Sequence, residues 1–188
     1  FKFHNLFSPG RNLCDLKNKQ SIDDLLLNFQ PSHIINCAAL ARRKICEKDP
    51  KSAISNNIIG TANLVNSVLD FSCLGKEPRL LHISTDAVYH CSRGNYDEND
   101  PTIPICNYGW SKLGEESSIK LLKDSLIVRT RFYDPDVIPF DDAANDIYTS
   151  SISILRLVDY LHRLLFSNYV GVINVGEKRE SDYKKYRT

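Results

Sequence analysis

Apolar and polar positions along the chain alternate between a helical period and short continuous runs. Ile22, Leu25, Leu26 and Phe29 recur at helical spacing. Ser21 with Asp24 reads as the start of that helix, because a serine hydroxyl accepts from a free backbone N–H and an acid favours the first turn. Pro31 stops it. HIINCAA at 33–39 is an apolar run of strand length. A second helix is expected from Lys51 to Asp70, with Ala53, Ile54, Ile58, Leu64, Val65, Val68 and Leu69 on one stripe. RLLHIS at 79–84 is strand-like again, and a loop rich in Asn, Asp and Pro runs on to Ile105. A third helix is expected from about 107 to 123, followed by SLIVRT at 125–130 as a buried strand. Beyond Arg131 the pattern is irregular, until a helix over about 151–166 and a last strand, GVINV, at 171–175.

Strands alternating with helices require crossover connections, hence an α/β fold with a mostly parallel sheet and helices on both faces. Ligands in such folds sit at the carboxyl ends of the strands. Three places qualify: Cys37 to Leu40, Ser84 to Tyr89, and Thr130 to Tyr133.

Composition narrows the function without naming it. The 188 residues are 42% hydrophobic, enough for one core. With 24 basic against 23 acidic residues, nothing favours nucleic acid or a membrane surface as partner. No apolar run approaches the roughly 18–20 residues that span a bilayer, and the opening lacks the features of a secretory signal, so a cytoplasmic protein is expected. Cys14, Cys37, Cys46, Cys73, Cys91 and Cys106 are irregularly spread and read as reduced thiols. His4, His33, His82, His90 and His162 form no metal-ligand pattern, so no metal is expected.

Candidate chemistry lies in HISTDAVYH at 82–90 and CNYGWSK at 106–112. Tyr108 and Lys112 are four residues apart, on one helix face. An ordinary pair at this spacing is a solvated face; a catalytic one uses the ammonium to stabilise a phenolate and lower a pKa that starts near ~10. With Thr85 at the strand end to hydrogen-bond the same substrate oxygen, such a trio would protonate a carbonyl oxygen while hydride reaches its carbon.

NCAAL at 36–40, NNIIGTANL at 56–64, HISTDAVY at 82–89, YDENDPTIPICNYGWSKLGEE at 96–116 and LIVRT at 126–130 occur in the order and spacing of the extended short-chain dehydrogenase/reductases. The chain most resembles the branch of dTDP-4-dehydrorhamnose reductases, over roughly residues 13–131. That resemblance implies a Rossmann-like doubly wound sheet, with residues 1–130 binding NAD or NADP and 131–188 forming a reduced substrate region. It implies a nucleotide-sugar substrate, and it allows a homodimer.

Carried over by resemblance, Tyr108 is the general acid/base, Lys112 lowers its pKa and binds the nicotinamide ribose, and Thr85 polarises the substrate carbonyl. Asp15 and Leu16 meet the adenine, Ala38 and Ala39 let the cofactor pass close to the backbone, and Asn57 supports the site. Ser84 either donates to the cofactor or closes its strand. Asp86, Arg131 and Phe132 are the substrate candidates.

Two departures bear on function. The family opens with a strand and a glycine-rich turn at the pyrophosphate, and no G-x-x-G-x-x-G occurs here. The opening FKFHNLFSPGRNLCDL resembles the family's second strand and following loop, so an amino-terminal portion is expected to be missing, in keeping with the absence of methionine. Ser8 and Arg11 would then recognise a 2′-phosphate, favouring NADP. The segment between LIVRT and the helix near 151 is also short, an abbreviated pocket. Ala87 follows Asp86 where related dehydratases carry a glutamate, which disfavours dehydration. A sugar-nucleotide epimerase, or a non-catalytic NAD(P)-binding regulatory subunit of the same fold, is the alternative.

Overall fold

The computed structural model describes residues 5–137 and 146–186. His4, the opening residues of the expected second strand, and residues 138–145 of the abbreviated pocket lie outside them.

The elements run α1 (Lys19–Phe29), β1 (His33–Asn36), α2 (Arg43–Lys48), α3 (Pro50–Ala53), a π turn (Ile54–Ile59), α4 (Gly60–Ser72), β2 (Arg79–Thr85) and a short 3-10 turn (Asp86–Val88). There follow α5 (Asn107–Ile119), β3 (Ser125–Thr130), β4 (Phe132–Tyr133), β5 (Tyr148–Thr149), β6 (Ile152–Ser153), α6 (Ile154–Leu165), β7 (Gly171–Val175), β8 (Glu180–Ser181) and α7 (Asp182–Tyr186).

The main sheet has the order β1-β2-β3-β7 and is parallel throughout. All four strands were expected from their apolar runs. Alternate side chains of β2 and β3 enter opposite layers. On one face Leu80 and Ile127 pack with Ile22 and Leu26 of α1, Leu64, Val65, Val68 and Phe71 of α4, and Ile119 of α5. On the other, Leu81, Leu126 and Val128 meet Leu164 and Leu165 of α6. The result is a three-layer α/β sandwich with Rossmann-like topology.

Several boundaries differ from the sequence reading, each for a local reason. Ser21 is not the cap of α1, which begins at Lys19; its hydroxyl bonds the carbonyls of Asp15 and Asn18 at 3.0 and 2.8 Å and accepts from the Asp15 N–H. The helix expected from 51 starts one residue earlier, capped by Asp49 Oδ1 accepting from the Ser52 N–H at 3.1 Å, and passes through the π turn. α5 stops at Ile119, where Ser125 Oγ takes up the carbonyls of Ile119 and Leu122. α6 begins at Ile154 because residues 152–153 pair with β4 first, and Ser153 caps it. α2, α7 and the two-residue strands are too short to show a period.

All six cysteines are free. Among the described residues, no helix is long and apolar enough to cross a membrane, and no group of three or more His, Cys, Asp or Glu side chains could hold a metal ion.

Candidate active site

The site is built where α5 starts beside the carboxyl end of β2. Cys106 caps α5, its Sγ accepting from the Gly109 N–H at 3.4 Å, and the Asn107 N–H donates to Glu47 Oε1 of α2 at 2.8 Å. Gly109 has no room for a side chain: a Cβ there would run into the Ala87 carbonyl oxygen and meet Pro104 Cβ at 3.0 Å. This close approach sets the first turn of α5 against the 3-10 turn after β2 and brings Tyr108 to Thr85.

Thr85 lies close enough to Tyr108 to favour its phenolate form. Thr85 Oγ1 also accepts from the Ala87 N–H at 3.2 Å, which fixes the hydroxyl at the strand end. Lys112, one turn along α5, is buried; its Nζ donates to the Ile83 carbonyl at 2.9 Å and to Glu115 Oε2. Tyr108 and Lys112 thus lie one turn apart on α5, beside the carboxyl end of β2 that carries Thr85.

The electrostatics differ from the expected ones. Tyr108 is pushed up to about 12, chiefly by burial, with Glu115 and Asp86 adding to the rise and Thr85 opposing it. The expected lowering by Lys112 is not seen, because a carboxylate on the same helix occupies its ammonium.

Glu115 is among the buried polar residues to which the sequence reading gave no role. It is fully buried, and Oε2 lies 2.8 Å from His82 Nε2 of β2, itself fully buried. Asn36 donates through Nδ2 to His82 Nδ1 at 3.1 Å, while its own Oδ1 accepts from the Ala38 N–H. This assigns the ring proton to Nε2, facing Glu115, although the approach is off the line of a good hydrogen bond. Burial holds His82 below the usual imidazole range against the opposing pull of Glu115. In the unfolded chain a histidine titrates near ~6.5. The folded value is lower, so the contribution of neutral His82 is present above that pH and declines as pH falls towards the folded value. Urea unfolding of His82→Gln should therefore show a shallower loss of stability on the acid side than the parent.

Glu116, the next residue, makes a separate pair. Its Oε1 accepts from Ser84 Oγ at 2.6 Å and from Arg129 Nε at 3.0 Å, and its Oε2 from Arg129 Nη2 at 2.7 Å. Arg129 also donates to Tyr89 Oη at 2.8 Å, and Tyr89 reaches the Asp97 carbonyl and Asn174 Oδ1. Ser84 is thereby buried, with its hydroxyl donating to Glu116.

The other candidates take up varied positions. Asn57 is fully buried, with Oδ1 accepting from the Leu40 N–H at 2.7 Å and Nδ2 donating to Ser111 Oγ at 2.8 Å, so it braces the end of β1 against α5. Ala38 and Ala39 are exposed just beyond β1, an open backbone ledge beside that brace. Asp15 is in a local turn, its Oδ1 accepting from the Lys17 N–H, and the Leu16 carbonyl accepts from Asn63 of α4. Arg131 Nε lies 2.9 Å from Asp86 Oδ2, both half open to solvent, and Phe132 is exposed beside them. Ser8 and Arg11 are exposed.

The family model of the RmlD substrate binding domain matches residues 2–133. The chain belongs to this family. Among RmlD-type relatives, dTDP-4-dehydrorhamnose reductase of Mycolicibacterium smegmatis is 30% identical over 132 residues, 69% of this chain and 38% of that protein. A protein of another name, methionine adenosyltransferase 2 subunit beta of Danio rerio, is 30% identical over 116 residues, 62% of this chain and 34% of its own length. The chain thus spans little more than a third of either relative. In structure it resembles dTDP-4-dehydrorhamnose reductase of Bacillus anthracis, solved in complex with NADP. The TM-score is 0.86 with 24% identity, over 97% of this chain and 70% of that one. This likeness bears out the Rossmann-like α/β fold of the RmlD-family chain.

Proposed function

We propose that the protein is an NAD(P)-dependent reductase of a 4-keto-deoxysugar nucleotide, with Tyr108 as general acid. The observation that carries the reading is the convergence of Tyr108, Thr85 and Lys112 at the carboxyl end of β2. The names of the mycobacterial and Bacillus anthracis relatives supply the substrate class.

The residues present fit the nicotinamide half of a dinucleotide. Lys112 uses two of its three N–H donors on Ile83 and Glu115, which leaves one for a ribose hydroxyl. The exposed Ala38–Ala39 ledge lets a ligand lie against the backbone, with Asp15 and Leu16 towards the adenine and Ser8 and Arg11 as the residues that would favour NADP. Asn57 and Ser84 act behind this surface as supports, since their polar atoms are already engaged. A bound nicotinamide would supply hydride to the carbonyl carbon.

In the reduction, Thr85 and Tyr108 hold the carbonyl oxygen and Tyr108 gives it a proton. At neutral pH the Tyr108 phenol carries the proton that the step consumes. Lys112 acts through its remaining N–H on the ribose, its charge being offset by Glu115. Arg131, Asp86 and Phe132 line the side on which the sugar nucleotide enters, with Arg131 exchanging its partner Asp86 for a phosphate. On this reading residues 1–130 serve the cofactor and 131–188 the substrate. The test is NADPH oxidation by the purified full-length protein with dTDP-4-keto-6-deoxy sugars. Absence of substrate-dependent oxidation across several such sugars would sink the proposal.

A second reading, a non-catalytic regulatory subunit of the same fold, is favoured by the likeness to the adenosyltransferase subunit. Tyr108→Phe discriminates between the two: loss of turnover with partner binding intact marks the enzyme, whereas undiminished function of the variant marks the subunit.

A further inference from the structure

We infer that Glu115 is a positioning residue for Lys112, holding its ammonium at the end of β2 and offsetting its charge beside Tyr108. The inference rests on the reductase reading for its consequence, though not for its geometry.

The neighbouring glutamate supplies the contrast. Glu116 is satisfied at both carboxylate oxygens and ties α5 to β3, as a structural buried pair must. Glu115 is equally buried, yet among the described residues only Oε2 is engaged, by Lys112 and the approach of His82, while Oε1 has no hydrogen-bond partner there. Burying a carboxylate with one oxygen unsatisfied is costly. What Glu115 does in return is local to the ammonium. Two anchors, the Ile83 carbonyl on the strand and the Glu115 carboxylate on the helix, hold the end of a flexible four-carbon side chain in one place. His82, fixed by Asn36, lies behind the carboxylate at 2.8 Å.

The charge consequence reaches Tyr108. The ionisable groups bearing on the phenol are Glu115 from α5, itself paired with Lys112, Asp86 from the turn after β2, and Cys46 from α2, with Thr85 of β2 close by. With Glu115 in place, Tyr108 faces a neutral ion pair rather than a bare cation, and it stays protonated. Glu115 therefore adds to the burial that keeps Tyr108 protonated.

The test reads positioning and charge separately from turnover. In lysine-ammonium ¹H–¹⁵N spectra of the unaltered full-length protein, Lys112, assigned by loss in Lys112→Met, should give a signal protected from solvent exchange. In Glu115→Gln that signal should broaden or vanish. The Tyr108 ring carbon, assigned with Tyr108→Phe, should begin to titrate between roughly pH 8 and 10.5, where the parent does not. Retention of both the signal and the parent titration in Glu115→Gln would overturn the inference. So would the absence of a protected Lys112 signal in the unaltered protein, even if the variant does not fold. Neither readout uses catalysis, so the reductase reading stands or falls independently, by turnover alone.

Discussion

Tyr108→Phe is expected to lower kcat for reduction of a 4-keto sugar nucleotide by about 10²- to 10⁴-fold, the contribution typical of a positioned proton donor. The ring stays and only the hydroxyl goes. Tyr108 is half-buried at the first turn of α5, and phenylalanine fills the same space. Thr85 beside it keeps its own hydroxyl partners, Asp86 Oδ1 and the Ala87 N–H, in the variant. Binding of NADPH, measured by fluorescence, should therefore change little while turnover collapses. A KM that rises at unchanged kcat would instead make Tyr108 a binding group.

Arg129→Met is expected to destabilise the fold by about 3–5 kcal/mol, because it leaves Glu116 charged and buried without its partner. Arg129 and Glu116 are both buried, joined by two hydrogen bonds between β3 and α5. A third bond from Arg129 holds Tyr89, which in turn reaches the loop at Asp97 and Asn174 of β7. One guanidinium thus connects strand, helix and loop around the site. Urea unfolding measures the loss. A double variant that also replaces Glu116 with Gln should recover part of it, since the stranded charge is then removed.

Much of this architecture is legible in the chain because it follows from burial. The four strands of the main sheet are short apolar runs, and the helices between them carry one apolar stripe each. The likeness that names the family rests on the same strand ends and on the Tyr108–Lys112 helix. What the sequence reading missed is the charged interior. His82, Glu115, Glu116 and Arg129 are polar residue types whose default place is the surface, and their burial depends on partners on other elements. A signal was nonetheless present: Lys112, Glu115 and Glu116 share the face of α5 that also carries Ile119, a face directed at the sheet. Ser21 misled for a related reason. Its hydroxyl serves a turn two residues inside the helix, a choice that neither spacing nor residue type reveals. The charge at Tyr108 also depended on Glu115, so the direction of its shift could not be read from Lys112 alone.

The central claim is that this site passes hydride to a sugar carbonyl while Tyr108 supplies the proton. It is tested most directly by following deuterium from NADPH labelled at the nicotinamide C4 into a dTDP-4-keto-6-deoxy sugar, with the product examined by NMR. The account predicts deuterium at sugar C4 in the product of the parent protein and none with Tyr108→Phe over the same interval. Label that stays on the cofactor with the parent protein, under conditions where NADPH and the sugar nucleotide both bind, would contradict it.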